Sequence, residues 1–346
     1  MTRSIINISL IGVVIAALVS GGVYLWLQDY LTTPLNIQTG EATLNIERGS
    51  SLQSVAGRLA DRQILRTPAI FTGYARFSGL AEKIQAGEYL LKAEDTPNSL
   101  LNKLVEGRVK LHSLTIIEGW TVAELLNALA AHSAVRQTLD LASPAELSTL
   151  LNLDYPQPEG LFYPDTYRFA RDTADVELLR QAHELMLQRL DEAWSGREPH
   201  DVLTEPYDLL VLASIVERET ALERERAQIA GVFVRRLEQG MRLQTDPAVI
   251  YGLGDAFDGN LTRRHLKKDT PYNTYVRKGL PPTPIALPGR DALQAVAHPE
   301  PGDALYFVAT GRSDGSHYFT ATLQEHNAAV ARYLAMLKQQ DRDKAQ

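Results

Sequence analysis

The chain has no cysteine in its 346 residues. That excludes disulfides, thiolate metal sites and cysteine nucleophiles, and it fits an oxidising compartment without demanding one. A basic excess is also missing. Lys and Arg number 35 against 42 Asp and Glu, a formal net charge of −7, so no nucleic-acid partner is expected. No Gly-x-x-x-x-Gly-Lys-Ser/Thr and no strand-placed Gly-x-Gly-x-x-Gly occurs, which leaves nucleotide binding without support. The 8 histidines are scattered without His-x-x-x-His spacing, so no metal site is expected. No Ser/His/Asp arrangement stands out either, and no cofactor is expected.

What is present begins at the N-terminus. From Ile5 to Leu27 the chain is nearly all apolar, and about 20 such residues span a bilayer as a helix. Tyr24 and Trp26 sit near one end, where amphipathic rings favour the interface. Arg3 precedes the run and Asp29 follows it, so residues 1–4 are expected in the cytoplasm and everything after 27 outside it. The run is longer than a signal-peptide core, and Ala17-Leu18-Val19-Ser20 is a poor cleavage site, which favours an uncleaved anchor. Residues 28–40 read as a linker broken at Thr32-Thr33-Pro34.

An internal repeat follows, with Leu44–Ala56 matching Leu114–Leu126. Each copy reads as a strand, a Gly turn, a Ser or Thr cap and an amphipathic helix. One helical face carries Leu52, Val55, Ala56 and Leu59; the other carries Val122, Leu125, Leu126 and Leu129. With a further strand at Gln85–Leu91 and a short helix at Asn98–Leu104, residues 41–112 form a β-α-α-β unit resembling the LysM module that holds N-acetylated glycans. The remainder, 113–337, reads as mostly helical and loop-rich, with helices expected at Asp175–Trp194, from Pro206 with Thr204 as N-cap, from Thr220-x-x-Glu223 as a capping box, and at Leu323–Leu337. Residues 338–346 form a charged tail expected to fray. The fold class is α+β.

The helix ending Leu212-Ala213-Ser214-Ile215-Val216-Glu217-Arg218-Glu219-Thr220 carries two carboxylates beside a buried stripe of Leu209, Leu212, Ala213, Val216 and Thr220. At about 100° per residue Glu217 and Glu219 lie about 160° apart, so they cannot face one cleft as a pair. An acid in the last turn opposes the helix dipole, and something must compensate. Three downstream loops supply stacking aromatics, amides and hydroxyls suited to a sugar: Gln244-Thr245-Asp246, Tyr272-Asn273-Thr274-Tyr275, and the rigid Gly279–Ile285 turn.

These motifs, with Glu159-Gly160-Leu161-Phe162 and Pro164-Asp165-Thr166-Tyr167, resemble the MltG (YceG-like) family of endolytic murein transglycosylases. Thr283 between the prolines and Lys267-Lys268 before the Tyr-Asn loop depart from its pattern. The resemblance implies a single-pass inner-membrane protein with a YceG-like catalytic domain in the periplasm. Its reaction would be cleavage of MurNAc-β-1,4-GlcNAc bonds within nascent strands, leaving 1,6-anhydro ends. It implies Glu217 as the catalytic acid and peptidoglycan synthases as partners, beside glycan strands and inner-membrane lipid. Gln244, Thr245, Asp246, Tyr272, Asn273, Thr274, Tyr275, Glu159 and Ser214 are the expected substrate-binding residues, and Glu219 is left as structural support. A non-catalytic peptidoglycan-binding scaffold and a conventional muramidase stay open as alternatives.

Overall fold

The computed structural model describes residues 2–38, 40–140 and 144–344; Met1, Thr39 of the expected linker and the last two residues of the tail lie outside them. The chain forms two compact units, Met1–His112 with Arg168–Asp172, and Ser113–Tyr167 with Thr173–Gln346.

The first unit opens with α1 (Thr2–Thr32). Its Leu10–Thr32 stretch has a mean hydropathy of 2.2, compatible with a single-pass membrane anchor. The helix runs five residues past the expected end at Leu27, because nothing before Pro34 breaks it and Thr32 Oγ1 bonds back to the Gln28 carbonyl at 2.8 Å. The segment expected as a free linker is tied down. Leu31 and Leu35 are buried, Leu35 N donates to Asp95 O at 2.6 Å, and Asn36 N donates to Ile64 O at 3.1 Å.

β1 (Glu41–Ile46), α2 (Leu52–Asp61), α3 (Pro68–Phe77) and β2 (Gly87–Lys92) follow in the expected β-α-α-β order. β1 and β2 pair antiparallel with Leu44 opposite Tyr89. Alternation then sends Leu44, Ile46, Tyr89 and Leu91 to one face, where the predicted stripe of α2 meets them. α4 (Pro97–Glu106) adds Leu100, Leu101 and Leu104, and Gly107 closes it in the left-handed region at φ +67°. Glu88 is buried at the end of this sheet with Lys110 at 3.2 Å, His112 at 2.8 Å and Arg171 around its carboxyl. Burial opposes its ionisation, but the hydrogen bonds from Arg171, His112 and Lys110 prevail and hold it down at about 2. A depressed folded pKa stabilises the fold above the unfolded value and loses that contribution as pH falls toward 2. Glu88→Gln is therefore expected to cost about 2–3 kcal/mol at pH 7, and the gap to wild type should close between pH 4.5 and 2 in denaturant titrations.

The second unit contains α5 (Val122–Ala131), α6 (Pro144–Leu151), α7 (Asp175–Gly196), α8 (Pro206–Glu219), α9 (Glu223–Glu238), α10 (Asp246–Leu253), α11 (Arg263–Lys267), α12 (Arg290–Ala297) and α13 (Leu323–Lys344). The remaining strands are short. β3 (Leu111–Thr115) pairs with β5 (Thr166–Ala170), each strand having residues in both units; within the second unit β4 (Val135–Arg136) pairs with β6 (Thr173–Ala174), and β7 (Tyr306–Ala309) with β8 (His317–Thr320). α8 is the axis of this unit. Every residue from Leu209 to Val216 is buried, with α7, α9 and α12 packed around it, so the single-stripe expectation understates it: a helix apolar all round is a core helix. Its N-cap is Glu205 and not Thr204, whose hydroxyl bonds to Asp208 at 2.9 Å. Thr220 ends α8 and accepts from Leu222 N at 3.0 Å; α9 takes Leu222 as its N-cap. Within the described residues α13 continues through the charged tail to Lys344.

Candidate active site

Three consecutive residues at the end of α8 leave it in three directions, as about 100° per residue requires. Glu219 enters a cavity of about 500 Å³ shared with Gln244, Asp246 and Tyr275. Arg218 turns to a second cavity of about 590 Å³, which Glu159, Tyr251 and Tyr272 also line. Glu217 lines neither of these two cavities.

Glu217 is held by two neighbours instead. Its Oε2 accepts from Gly289 N at 2.9 Å, and its Oε1 from Arg226 Nη2 at 3.4 Å. Arg226 also reaches Asp291 at 3.3 Å. Burial raises the Glu217 pKa, while Gly289 N–H and Arg226 pull it down. Behind it stands the second copy of the repeat, whose Gly119 has φ +79° and lies in van der Waals reach of Arg218 and Glu217. Arg218 Nη1 donates to Gly119 O at 3.0 Å. The repeat's Gly turn therefore seats the end of α8, where in the first copy the equivalent Gly49 (φ +83°) meets nothing.

Glu219 stands in a different environment. Burial pushes its carboxyl up to about 7, with Asp246 adding to the rise and the Thr245 hydroxyl and Arg236 opposing it. Thr245 is buried, and among the described residues its hydroxyl is within hydrogen-bond reach of no acceptor or donor. Arg236 forms no ion pair with the acid among the described residues; its Nε donates to Leu305 O at 2.6 Å, and its Nη1 to Leu243 O at 2.7 Å and Arg242 O at 3.2 Å. Its guanidinium lies over Tyr306, 5.1 Å from the ring centre. Tyr275 OH donates to Asp246 Oδ1 at 2.7 Å, and Gln244 sits at φ +53°, a left-handed conformation costly for a side-chain-bearing residue. Tyr306, His326 and Asn327 complete the cavity from β7 and α13. No local motif marks these last residues or Arg236, and sequence reasoning did not find them.

The expected binding residues thus divide. Gln244, Asp246 and Tyr275 gather around Glu219, with Thr245 behind it. Glu159 and Tyr272 belong to the second cavity. Ser214, Asn273 and Thr274 are not at either and serve the framework. Ser214 Oγ accepts from Ile285 N at 2.9 Å, fastening the proline-rich turn to α8. Thr274 Oγ1 accepts from Thr245 N at 3.0 Å, and Asn273 Nδ2 donates to Lys268 O at 2.7 Å. Short hydroxyl and amide side chains look alike in a sequence whether they latch loops or face a ligand.

Glu159 is buried, accepting from Val122 N at 3.0 Å and from Tyr251 OH at 3.1 Å, and burial raises it to about 7. A raised folded pKa favours the fold at low pH and loses that advantage as pH rises through about 7. Glu159→Gln keeps the shape and removes the ionisation. The variant is expected to match wild type at pH 4 and exceed it at pH 9, by at most about 3 kcal/mol, in thermal unfolding of the two proteins.

Fold and site together define a protein with an N-terminal apolar helix and, in its helical unit, a cavity built on a carboxyl kept uncompensated at a helix end. The chain belongs to the YceG-like family, whose model matches residues 44–332. The family resemblance carried by the motifs is borne out. Among its relatives is a protein of Bacillus subtilis (strain 168) named endolytic murein transglycosylase, 29% identical over 335 residues and covering 92% of each chain. Another of the same name, from Streptococcus pneumoniae serotype 2, is 28% identical over 364 residues, 93% of this chain and 64% of its own. A crystal structure of a YceG-like protein from Listeria monocytogenes superposes with a TM-score of 0.54 at 28% identity, over 84% of this chain and 99% of the other.

Proposed function

We propose that this chain is an endolytic murein transglycosylase and that Glu219, not Glu217, is its acid and base. The observation that carries the reading is a carboxyl raised to about 7 in a cavity walled by Gln244, Asp246 and Tyr275. Such a group is protonated often enough near neutrality to donate, and ionised often enough to accept. The names of the relatives supply the reaction class.

Protonated Glu219 donates to the glycosidic oxygen between MurNAc and GlcNAc as that bond breaks. The resulting carboxylate then accepts the proton of the MurNAc C6 hydroxyl, whose oxygen closes on C1 to give the 1,6-anhydro end. No water is consumed, so the second carboxylate of an ordinary glycosidase is not required. The amide of Gln244 and the hydroxyl of Tyr275 are the neighbouring polar groups for the sugar hydroxyls and acetamide. Membrane anchorage by α1, with the N-terminus cytoplasmic and the remainder periplasmic, would bring the site to strands still being made, and the β-α-α-β unit would add a LysM-like contact to glycan.

Mass spectrometry of fragments released from purified sacculi tests this. Anhydro-ended products are expected. Reducing ends would mean a hydrolase, and no fragments at all would mean a binding or scaffold protein.

A further inference from the structure

Arg263, Arg264 and Lys267 of α11 and Lys268 at its C-cap crowd four cations together and line one open depression of about 630 Å³. All four are exposed, and among the described residues none of them forms an ion pair. The acid next in sequence, Asp269, is committed to Arg277 through Nε–Oδ1 at 2.7 Å and Nη2–Oδ2 at 3.4 Å. The helix dipole accounts for cations in the last turn but is opposed by Arg263 at the first position. Arg263 with Lys267, and Arg264 with Lys268, are like charges at i, i+4, an arrangement that weakens an isolated helix.

This local excess stands in a chain of net charge −7, so the overall field does not draw anions to it and the patch must do so itself. The patch is also fixed. Thr262 Oγ1 caps the helix by accepting from His265 N at 3.3 Å. At the other end buried Asn273 donates to His265 O at 3.1 Å and Lys268 O at 2.7 Å, while its Oδ1 accepts from Tyr275 N at 3.0 Å. The cationic turn is thereby locked to the loop that sends Tyr275 to one cavity and Tyr272 to the other.

We propose that these four residues form a binding site for a phosphate group, carried by a free phosphoanion or by an anionic lipid headgroup. Two planar guanidinium forks and two compact ammonium charges match a multiply charged tetrahedral group with several acceptor oxygens better than a single carboxylate, which one of them would already neutralise. The site does not depend on the assignment of Glu219.

The test uses the full chain. In neutral detergent, pyrophosphate is titrated by calorimetry against wild type and the variant R263Q/R264Q/K267Q/K268Q, whose substitutions are all at exposed positions and whose folding is checked by its thermal midpoint. In parallel, wild type is placed in nanodiscs of phosphatidylcholine with or without phosphatidylglycerol, and acetylation of Lys267 and Lys268 is followed by mass spectrometry. Pyrophosphate binding at least about tenfold weaker in the variant and weakened by salt supports a free phosphoanion. Lysine protection only with phosphatidylglycerol supports the lipid headgroup, and both together support a common phosphate site. Binding unchanged in the variant, or neither binding nor protection, overturns the proposal.

Discussion

Glu219→Gln is expected to lower the release of anhydro-ended fragments by about 10²–10⁴-fold, the usual span for losing a general acid, while Glu217→Gln stays within about tenfold of wild type. The contrast follows from position. Glu219 lines the cavity with Gln244, Asp246 and Tyr275, and the amide that replaces it cannot give up a proton. Glu217 lies away from the cavity, accepting from Gly289 N and pairing with Arg226, and glutamine keeps the first of these contacts. The pH profile gives a second readout. The first step needs the protonated acid, so kcat/KM should fall as pH rises through about 7. Equal loss in both variants, or full activity in Glu219→Gln, would reject the assignment.

Arg236→Met should be the most damaging framework change near the site. It strips donors from Leu305 O, Leu243 O and Arg242 O and removes the cation over Tyr306. Leaving the buried Leu243 carbonyl unpaired costs about 1–3 kcal/mol, while the Leu305 and Arg242 carbonyls are only partly buried, so a loss of at least about 1 kcal/mol is expected in denaturant unfolding. The same change removes the positive charge that holds the Glu219 pKa down, so the alkaline limb of the activity profile should move to higher pH. Arg236→Lys separates the two effects: it keeps the charge but not the fork, so it should destabilise the fold while leaving the limb where it was. A limb unmoved in Arg236→Met would mean that Arg236 does not sense the acid.

How far the site was legible in the sequence depended on whether a feature is local. The two glutamates could be separated by helix geometry alone, since a residue's angle around α8 follows from its number. What that geometry could not give was what lies beyond each margin. Glu217 looks toward Gly289 and Arg226, Glu219 toward loops far along the chain, and neither neighbourhood is encoded in the helix. Ser214, Asn273 and Thr274 were drawn to the ligand by their chemistry, which suits backbone latches equally well. Arg236, Tyr306, His326 and Asn327 reach the cavity from α9, β7 and α13 without any spacing that joins them.

The sequence by itself determined the apolar N-terminal helix, the repeated strand, Gly turn and capped helix, the α+β class and the family, because each rests on periodicity, capping or contiguous motifs within a few turns of chain. Only the tertiary structure decided which carboxyl is left uncompensated in a cavity. The pKa of Glu219 is set by burial, by the Thr245 hydroxyl, by Asp246 and by the charge of Arg236, which the Leu305 and Leu243 carbonyls hold in place. Those are sums over neighbours in space, and no position along the chain carries them.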